Sequence, residues 1–494
     1  YKTDDFGLNL GYKGSRLQYG LAYSGSLFRN DQNAITWSNP YSPTLIDTGR
    51  IAEAPDNQSH QISAHLGYDL SDHTRLAGQL AFGRITQNQS FLPYSTNPAF
   101  GSPASSSLDG RVDTTLAKFD INSRPLPRLR WDASYTYSNR DNKTPVGSYN
   151  YVITDETLAI DPYTGTSVVR QNRPYSFEQH LLRTKIGYLL PKDIDLSGGF
   201  DYDQMNRSYQ LVEETKDKTL WAKLKVHPTE TLEGTLKYSF SARDASSPVL
   251  SSPAAAYQNP VYPESGVMYP GATTPNPLML AFELADRHRN KVGFGLSANP
   301  KQNLSLNLDV DYYKDDYRNM VLGLTQASGV TATPSVTYVF TDRLSASAYY
   351  TYDKLSSDQA SRFWTTTPSS TSWAESDSNL TNTVGLNASW KAIPKKLELG
   401  ADAAYSKFTG QIHYVGTTDL PDLTSSMTTA GVHGNYMMKE NLSLRAGLWY
   451  EKYEESDWAK NASVSLLPTV LSLGTAQQNA DTVLVLVSVR YDFK

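Results

Sequence analysis

Cysteine is missing from all 494 residues, and with it go disulfides, thiolate metal sites, thiol nucleophiles and covalent c-type haem attachment, which needs Cys-x-x-Cys-His. Charge is scarce, at 19% of residues, and a net −5 leaves no basic footprint, so nucleic acid is excluded as a partner. Long apolar runs are absent too. The densest, Val483 to Val489, is far below the roughly 18 residues of a transmembrane helix, which excludes helical spans. No charged, apolar, small-residue leader opens the chain, which starts at Tyr1, so a processed or truncated product is expected.

Signs of catalysis are equally thin. The eight histidines, His60, His65, His73, His180, His227, His288, His413 and His433, show no metal-ligand spacing. Asp4-Asp5 and Asp315-Asp316 lack the spacing of a calcium loop and read as solvated loop acids. Nothing singles out a Ser/His pair. The expectation is a protein that is not an enzyme, with no catalytic residue, no metal and no cofactor of its own.

What the chain does have is 33 Tyr, 31 Gly and strict period-2 alternation in segments of about 10 to 14 residues. Leu129, Trp131, Ala133, Tyr135 and Tyr137 alternate with Arg130, Asp132, Ser134, Thr136 and Ser138. Leu304, Leu306, Leu308, Val310 and Tyr312 alternate with Ser305, Asn307, Asp309 and Asp311. The pattern returns from Leu232 to Phe240, Leu344 to Tyr352, Leu397 to Tyr405 and Leu442 to Tyr450. Each segment begins with Leu just after a turn and places an aromatic eight residues on. At roughly 3.3 Å per residue that is about 26 Å along the strand, the reach of a tilted bilayer-spanning strand.

The connections alternate between short and long. Turn-forming links fall at Lys13-Gly14-Ser15, Ser71-Asp72-His73, Pro125-Leu126-Pro127, Pro191-Lys192-Asp193, His227-Pro228-Thr229, Pro300-Lys301-Gln302, Thr341-Asp342-Arg343, Pro394-Lys395-Lys396 and Lys439-Glu440-Asn441. Long polar loops are expected near 29–57, 88–111, 142–176, 245–286, 315–331, 355–379, 411–426 and 453–479. Short turns on one side and long loops on the other define an all-β fold, a transmembrane antiparallel β-barrel with periplasmic turns and extracellular loops in the bacterial outer membrane. An array of secreted β-sandwiches fits less well, because its strands would be nearer 5 or 6 residues. The last segment agrees with a barrel: Val483, Val485, Val487, Val489, Tyr491 and Phe493 share one face. About nine hairpins and a final strand give about 19 strands over residues 1–494, one barrel. Bacterial barrels have even strand numbers, so about 20 strands or more are expected in the full barrel, at least one lying before Tyr1.

The face opposite the apolar one carries both signs of charge: Lys118, Asp120, Arg130, Asp132, Arg183, Lys185, Asp195, Asp201, Lys223, Lys225, Glu233, Lys237, Asp309, Asp311, Glu398, Asp402, Arg445 and Arg490. A substrate-selective pore carries a ring of one sign, and none is evident. These residues either solvate a water-filled lumen or pack a second protein. Barrels of about 16 to 18 strands already leave an aqueous channel, so a wider wall calls for an occupant. The Pro-rich stretches 91–103 and 247–278, the latter with Tyr257, Tyr262 and Tyr269, read as ordered extracellular loops or a docking surface for an external partner.

Three segments, LQYGLAYSGSLFRNDQNAITWSNPY (17–41), RIAEAPDNQSHQISAHLGYDLSDHTRLAGQLAFGRITQNQSFLPY (50–94) and RPLPRLRWDASYTYSNRDNKTPVGSYNY (124–151), resemble the MtrB/PioB family of decahaem-associated outer-membrane porins. The likeness runs through 287–357 to the last strand. It implies a barrel of about 26 strands, so that the first few would lie before Tyr1 and the full barrel would have about 20 to 26, sheathing a periplasmic multihaem (decahaem) cytochrome, often with a second, outer-surface multihaem cytochrome on its loops. The haem c would belong to the partner. Some members carry Cys-x-x-Cys near the mature N-terminus, which has no counterpart here. A different class of function, an open diffusion pore or importer for soluble solutes, remains the alternative.

Overall fold

The computed structural model describes residues 1–38, 48–154, 157–158, 169–247, 281–320, 322–361, 373–416, 418–457 and 479–492. Nineteen long strands belong to one antiparallel sheet, the number read from the alternation. Small ribbons stand in the longer links, such as Ala34–Ser38 with Thr48–Ala52 and Ser148–Asn150 with Val169–Gln171. A short 3₁₀ turn, Pro98–Phe100, is capped by Asn97, whose side-chain oxygen accepts the Ala99 N–H at 3.0 Å. Among the described residues no helix is long and apolar enough to cross a membrane.

Hairpins close where Gly, Pro and Asp predicted. Asn57–Ser71 and Thr74–Gln87 meet at Asp72 and His73, and Gly110–Leu126 and Leu129–Asn142 meet at Pro127 and Arg128. At the Pro191 and Pro394 turns the backbone enters the left-handed region without glycine, with φ of 64° at Lys192, 53° at Asp193 and 62° at Lys395. Proline fixes the entry to each turn, and the following residues absorb the reversal.

Strands outlast the alternation that revealed them. They run to 21 residues in Trp373–Ile393, so the loops expected at 315–331, 355–379 and 411–426 shrink to links 318–322, 362–372 and 415–422. Above the apolar band, Ser376, Asp377 and Ser378 still pair with His413, Ile412 and Gln411. Backbone hydrogen bonding continues there although neither face is apolar. A six-residue link at 208–213, between Ile194–Arg207 and Glu214–Thr229, escaped the sequence reading.

The chain forms two compact units, the first comprising Tyr1–Tyr188, Gly199–Leu220 and Ala242–Asp286. Its registers align Leu10, Leu21, Ala64, Leu80 and Ala117 in one row across five strands. The next row, pointing to the opposite face, is Gly11, Gly20, His65, Gln79 and Lys118. The second unit comprises Leu189–Gly198, Trp221–Ser241 and Arg287–Lys494. There Phe294, Val310, Ala332 and Tyr352 share a row, and Gly295, Asp309 and Thr333 form its neighbour on the other face. Period-2 alternation in sequence has thus become one apolar and one polar face in each unit. Toward the end with the longer links the apolar face of the first unit carries hydrogen-bonded aromatic pairs: Tyr23 Oη and His60 Nδ1 at 2.8 Å, and Tyr135 Oη and His180 Nδ1 at 2.8 Å. Rings with an apolar body and a polar tip suit the membrane interface.

Apart from Ala81 in the middle of Thr74–Gln87, the buried apolar side chains lie at or beyond the ends of the long strands. In the first unit Leu211, Val212, Leu284 and Ala285 are buried; in the second, Tyr317, Met320 and Leu322. Between them the apolar side chains stay exposed, Leu8 and Leu10 at 61% each and Val485 at 67%. A wall bathed in lipid satisfies those side chains without a protein core.

Candidate functional site: the polar inner wall

In the first unit seven of the expected residues lie on successive strands of the polar face. Lys118 and Asp120 pair along Gly110–Leu126 at 3.2 Å. Asp120 stands opposite Ser134, which stands opposite Arg183, and Asp132 stands directly opposite Lys185. Arg130 faces Gly187. Asp201 lies on Ile194–Arg207, two residues from Asp203, which accepts hydrogen bonds from Gln179 Nε2 at 2.8 and 3.0 Å. Acid and base therefore alternate across neighbouring strands, and the charge of each is offset locally.

In the second unit Lys225 and Glu233 form an ion pair at 2.8 Å. Glu233 also meets His227 Nε2 at 3.2 Å, while His227 Nδ1 donates to the Asp193 carbonyl at 3.0 Å. Lys223 is on the same strand, Glu214–Thr229, two residues before Lys225, and Asp195 follows the Pro191 turn. Lys237 and Asp311 flank Gly293, where a β-carbon would stand 3.1 Å from Asp311 Oδ1 and 3.8 Å from Lys237 Cβ. Lys291 reaches Asp311 at 3.7 Å. Asp309 lies opposite Gly295 and Thr333, and Asp402 opposite Asn387 and Gly431. Glu398 accepts from Ser389 Oγ at 3.4 Å, Arg445 lies opposite Asn435 and Ser488, and Arg490 pairs with Asp492 at 3.1 Å.

Sequence reasoning assigned Asp315 to a solvated loop, and the structure corrects this. Asp315 is 1% exposed on Leu304–Tyr317 and receives Arg289 Nε at 2.6 Å and Nη2 at 2.5 Å. The strand continues past Tyr312, and odd-numbered residues keep pointing to the polar face; extending that parity from Asp309 and Asp311 would have found it. Gln179 and Asp203 were missed for the same reason, and Arg75 because it precedes Leu76, the first apolar residue of its strand. Tyr257, Tyr262, Tyr269 and Phe493 lie outside the described residues. Among the described residues no group of three or more His, Asp or Glu is placed to hold a metal ion.

One face for lipid, one for water, tight turns at one end and longer links at the other define a β-barrel of the outer membrane. The family model of outer membrane beta-barrel porins MtrB/PioB matches residues 1–493, and the chain belongs to that family. The outer membrane protein MtrB of Shewanella baltica (strain OS185) is 27% identical over 496 residues, 99% of this chain and 67% of that protein. Among solved structures, the siderophore receptor PirA from Acinetobacter baumannii covers 90% of this chain and 73% of its own, with TM-score 0.49 and 8% identity. The FrpB iron transporter from Neisseria meningitidis covers 99% and 79%, with TM-score 0.48 and 10% identity.

Proposed function

We propose that this outer-membrane barrel sheathes and positions a periplasmic multihaem c-type cytochrome, so that electrons cross the membrane to or from extracellular acceptors. The observation that carries the reading is the inner wall: Asp132 opposite Lys185, and Lys237 and Asp311 on either side of Gly293, present both signs side by side. Such a wall offers a protein surface many small, wet, polar contacts and offers a permeating ion no single-sign ring. Membership of the MtrB/PioB family supports the same partner. Haem-to-haem transfer needs a continuous chain of cofactors, and a chain without Cys cannot hold c-type haem covalently. In this reading the haem belongs to the partner, and the barrel holds it in register and excludes lipid. The Tyr257, Tyr262 and Tyr269 segment would receive an outer-surface multihaem cytochrome.

Reconstituted liposomes test this. Barrel with cytochrome should reduce a membrane-impermeant acceptor across the bilayer, and barrel alone should not. Single changes such as Asp309→Asn should alter the rate little, because each exposed pair contributes at most about 1 kcal/mol. Reversal of several inner-wall charges together should release the cytochrome. Absence of a complex, or rapid leakage of small solutes with cytochrome bound, refutes the sheath and favours an open pore.

A further inference from the structure

Four arginines gather at the end of the first unit where the short turns lie. They line a cavity of about 790 Å³ with Ser15, Asp69, Asp72, His73, Asn122 and Asp132 nearby, a volume typical of ligand pockets, which span roughly 300–1,000 Å³. The arginines are Arg16, Arg75, Arg124 and Arg130. Backbone bonds fix two of them: the Asp69 N–H donates to the Arg16 carbonyl at 2.8 Å, and the Arg124 N–H to the His73 carbonyl at 2.7 Å. Arg75 is committed, donating to Asp69 Oδ1 at 3.0 Å and Gln18 Oε1 at 3.1 Å. It reaches Gln18 by passing over Gly67, where a β-carbon would stand 2.8 Å from Nη2. Asp69 is thereby used up, and Asp132 stands opposite Lys185. Arg16 and Arg124 have no ion pair among the described residues, and both are exposed.

The cavity thus carries an excess of positive charge, on rigidly placed turns and facing the polar side of the wall. Four arginines outnumber the three acids that line the cavity, Asp69, Asp72 and Asp132, and a guanidinium left over selects a carboxylate, which it binds through paired N–H donors. Elsewhere on the wall acid and base cancel; here they do not. We propose that this pocket is a receptor for carboxylate side chains of the periplasmic partner, a charged latch at the mouth through which that partner enters. The inference rests on the sheath reading for the identity of the partner, and on the pocket alone for its chemistry.

The full barrel in detergent, with fluorescein-labelled hexaglutamate as probe, separates the two. Hexaglutamate should bind, more weakly as salt rises, and hexalysine should not compete. Arg16→Glu with Arg124→Glu should weaken binding about tenfold or more, and Arg16→Gln with Arg124→Gln should weaken it less. Equivalent reversals at other short turns, Arg343→Glu with Lys396→Glu, should leave it unchanged. Heat-dependent gel mobility reports whether each variant is folded, and the Gln pair carries the test if the Glu pair is not. No binding by the parent barrel, or equal binding by pocket and control variants, overturns the latch while leaving the sheath intact. Hexaglutamate binding without co-purification of a haem-absorbing partner upholds the pocket and refutes the sheath. Co-purification that the pocket variants weaken and the control variants do not supports both.

Discussion

Arg289 grips Asp315 through two parallel hydrogen bonds between neighbouring strands, one from Nε at 2.6 Å and one from Nη2 at 2.5 Å. The guanidinium carbon also stands 5.3 Å from the Tyr313 ring centre. Asp315 is 1% exposed, so it depends wholly on this partner, whereas the Arg289 side chain is 38% exposed. Asp315→Ala strands a cation that reaches water with part of its surface, and a loss of about 2–3 kcal/mol is expected, at the low end for a buried pair. Arg289→Met with Asp315→Leu should cost less than Asp315→Ala alone. Urea unfolding in detergent measures both, and a double variant worse than the single would contradict the argument.

Leu308 and Asp309 are neighbours that point to opposite faces, Leu308 across from Leu296 and Asp309 across from Gly295. Leu308→Arg places charge against lipid and should cost about 2–4 kcal/mol near the bilayer midplane. Asp309→Arg stays in water and should be tolerated. Membrane insertion of the two variants, compared side by side, decides which face meets lipid.

Gly385 lies directly across from Tyr349, and a β-carbon there would overlap the Tyr349 ring. The ring covers the bare backbone, so the pair packs as one unit. Gly385→Val should displace the tyrosine and cost about 1–3 kcal/mol, and Tyr349→Ala should relieve most of the clash in the double variant. A double-mutant cycle on unfolding midpoints checks the coupling.

The link 415–422 is tied down by Asp419, whose carboxylate meets His413 Nδ1 at 2.7 Å and accepts the Tyr414 N–H at 3.2 Å. The His413 contact, followed by the backbone N–H, holds the Asp419 carboxyl below its ordinary value of 3.8. A lowered carboxylate stabilises above the unfolded value, so the tie should be complete above about pH 4 and vanish as pH falls through the lower folded value. Amide exchange at Tyr414, corrected for intrinsic rates, should rise in acid in the parent protein. Asp419→Asn should remove that dependence.

Strand number and hairpin turns were legible because an apolar face and a turn residue are both local signals. Leu304 to Tyr312 declares its strand without help from any other segment. Strand ends were not legible: beyond the apolar band Ser376 to Ser378 carry no alternation, yet they pair. On their other side they are tied to Leu344–Ser361 by side-chain bonds, Gln359 Nε2 to Asp377 at 3.1 Å and Ser376 Oγ to Asp358 at 2.7 Å, which no local alternation announces. Parity alone picks out which residues share the polar face, but not their neighbours across the sheet, because Asp132 comes to stand opposite Lys185 only once the 34 residues 143–176 have been spanned. Asp315 was misplaced where apolar alternation ended before the strand did.

Leaving aside the small ribbons, every register described within the two units joins long strands that follow one another along the chain. A hairpin such as Gly323–Thr341 with Leu344–Ser361 therefore touches the remainder through its two flanking ladders alone. Duplication or loss of a hairpin would alter the wall's breadth by two strand spacings, about 10 Å, and ask nothing of distant segments. In evolutionary terms such a meander is a gauge that can be reset one notch at a time, changing the wall's girth while keeping its chemistry.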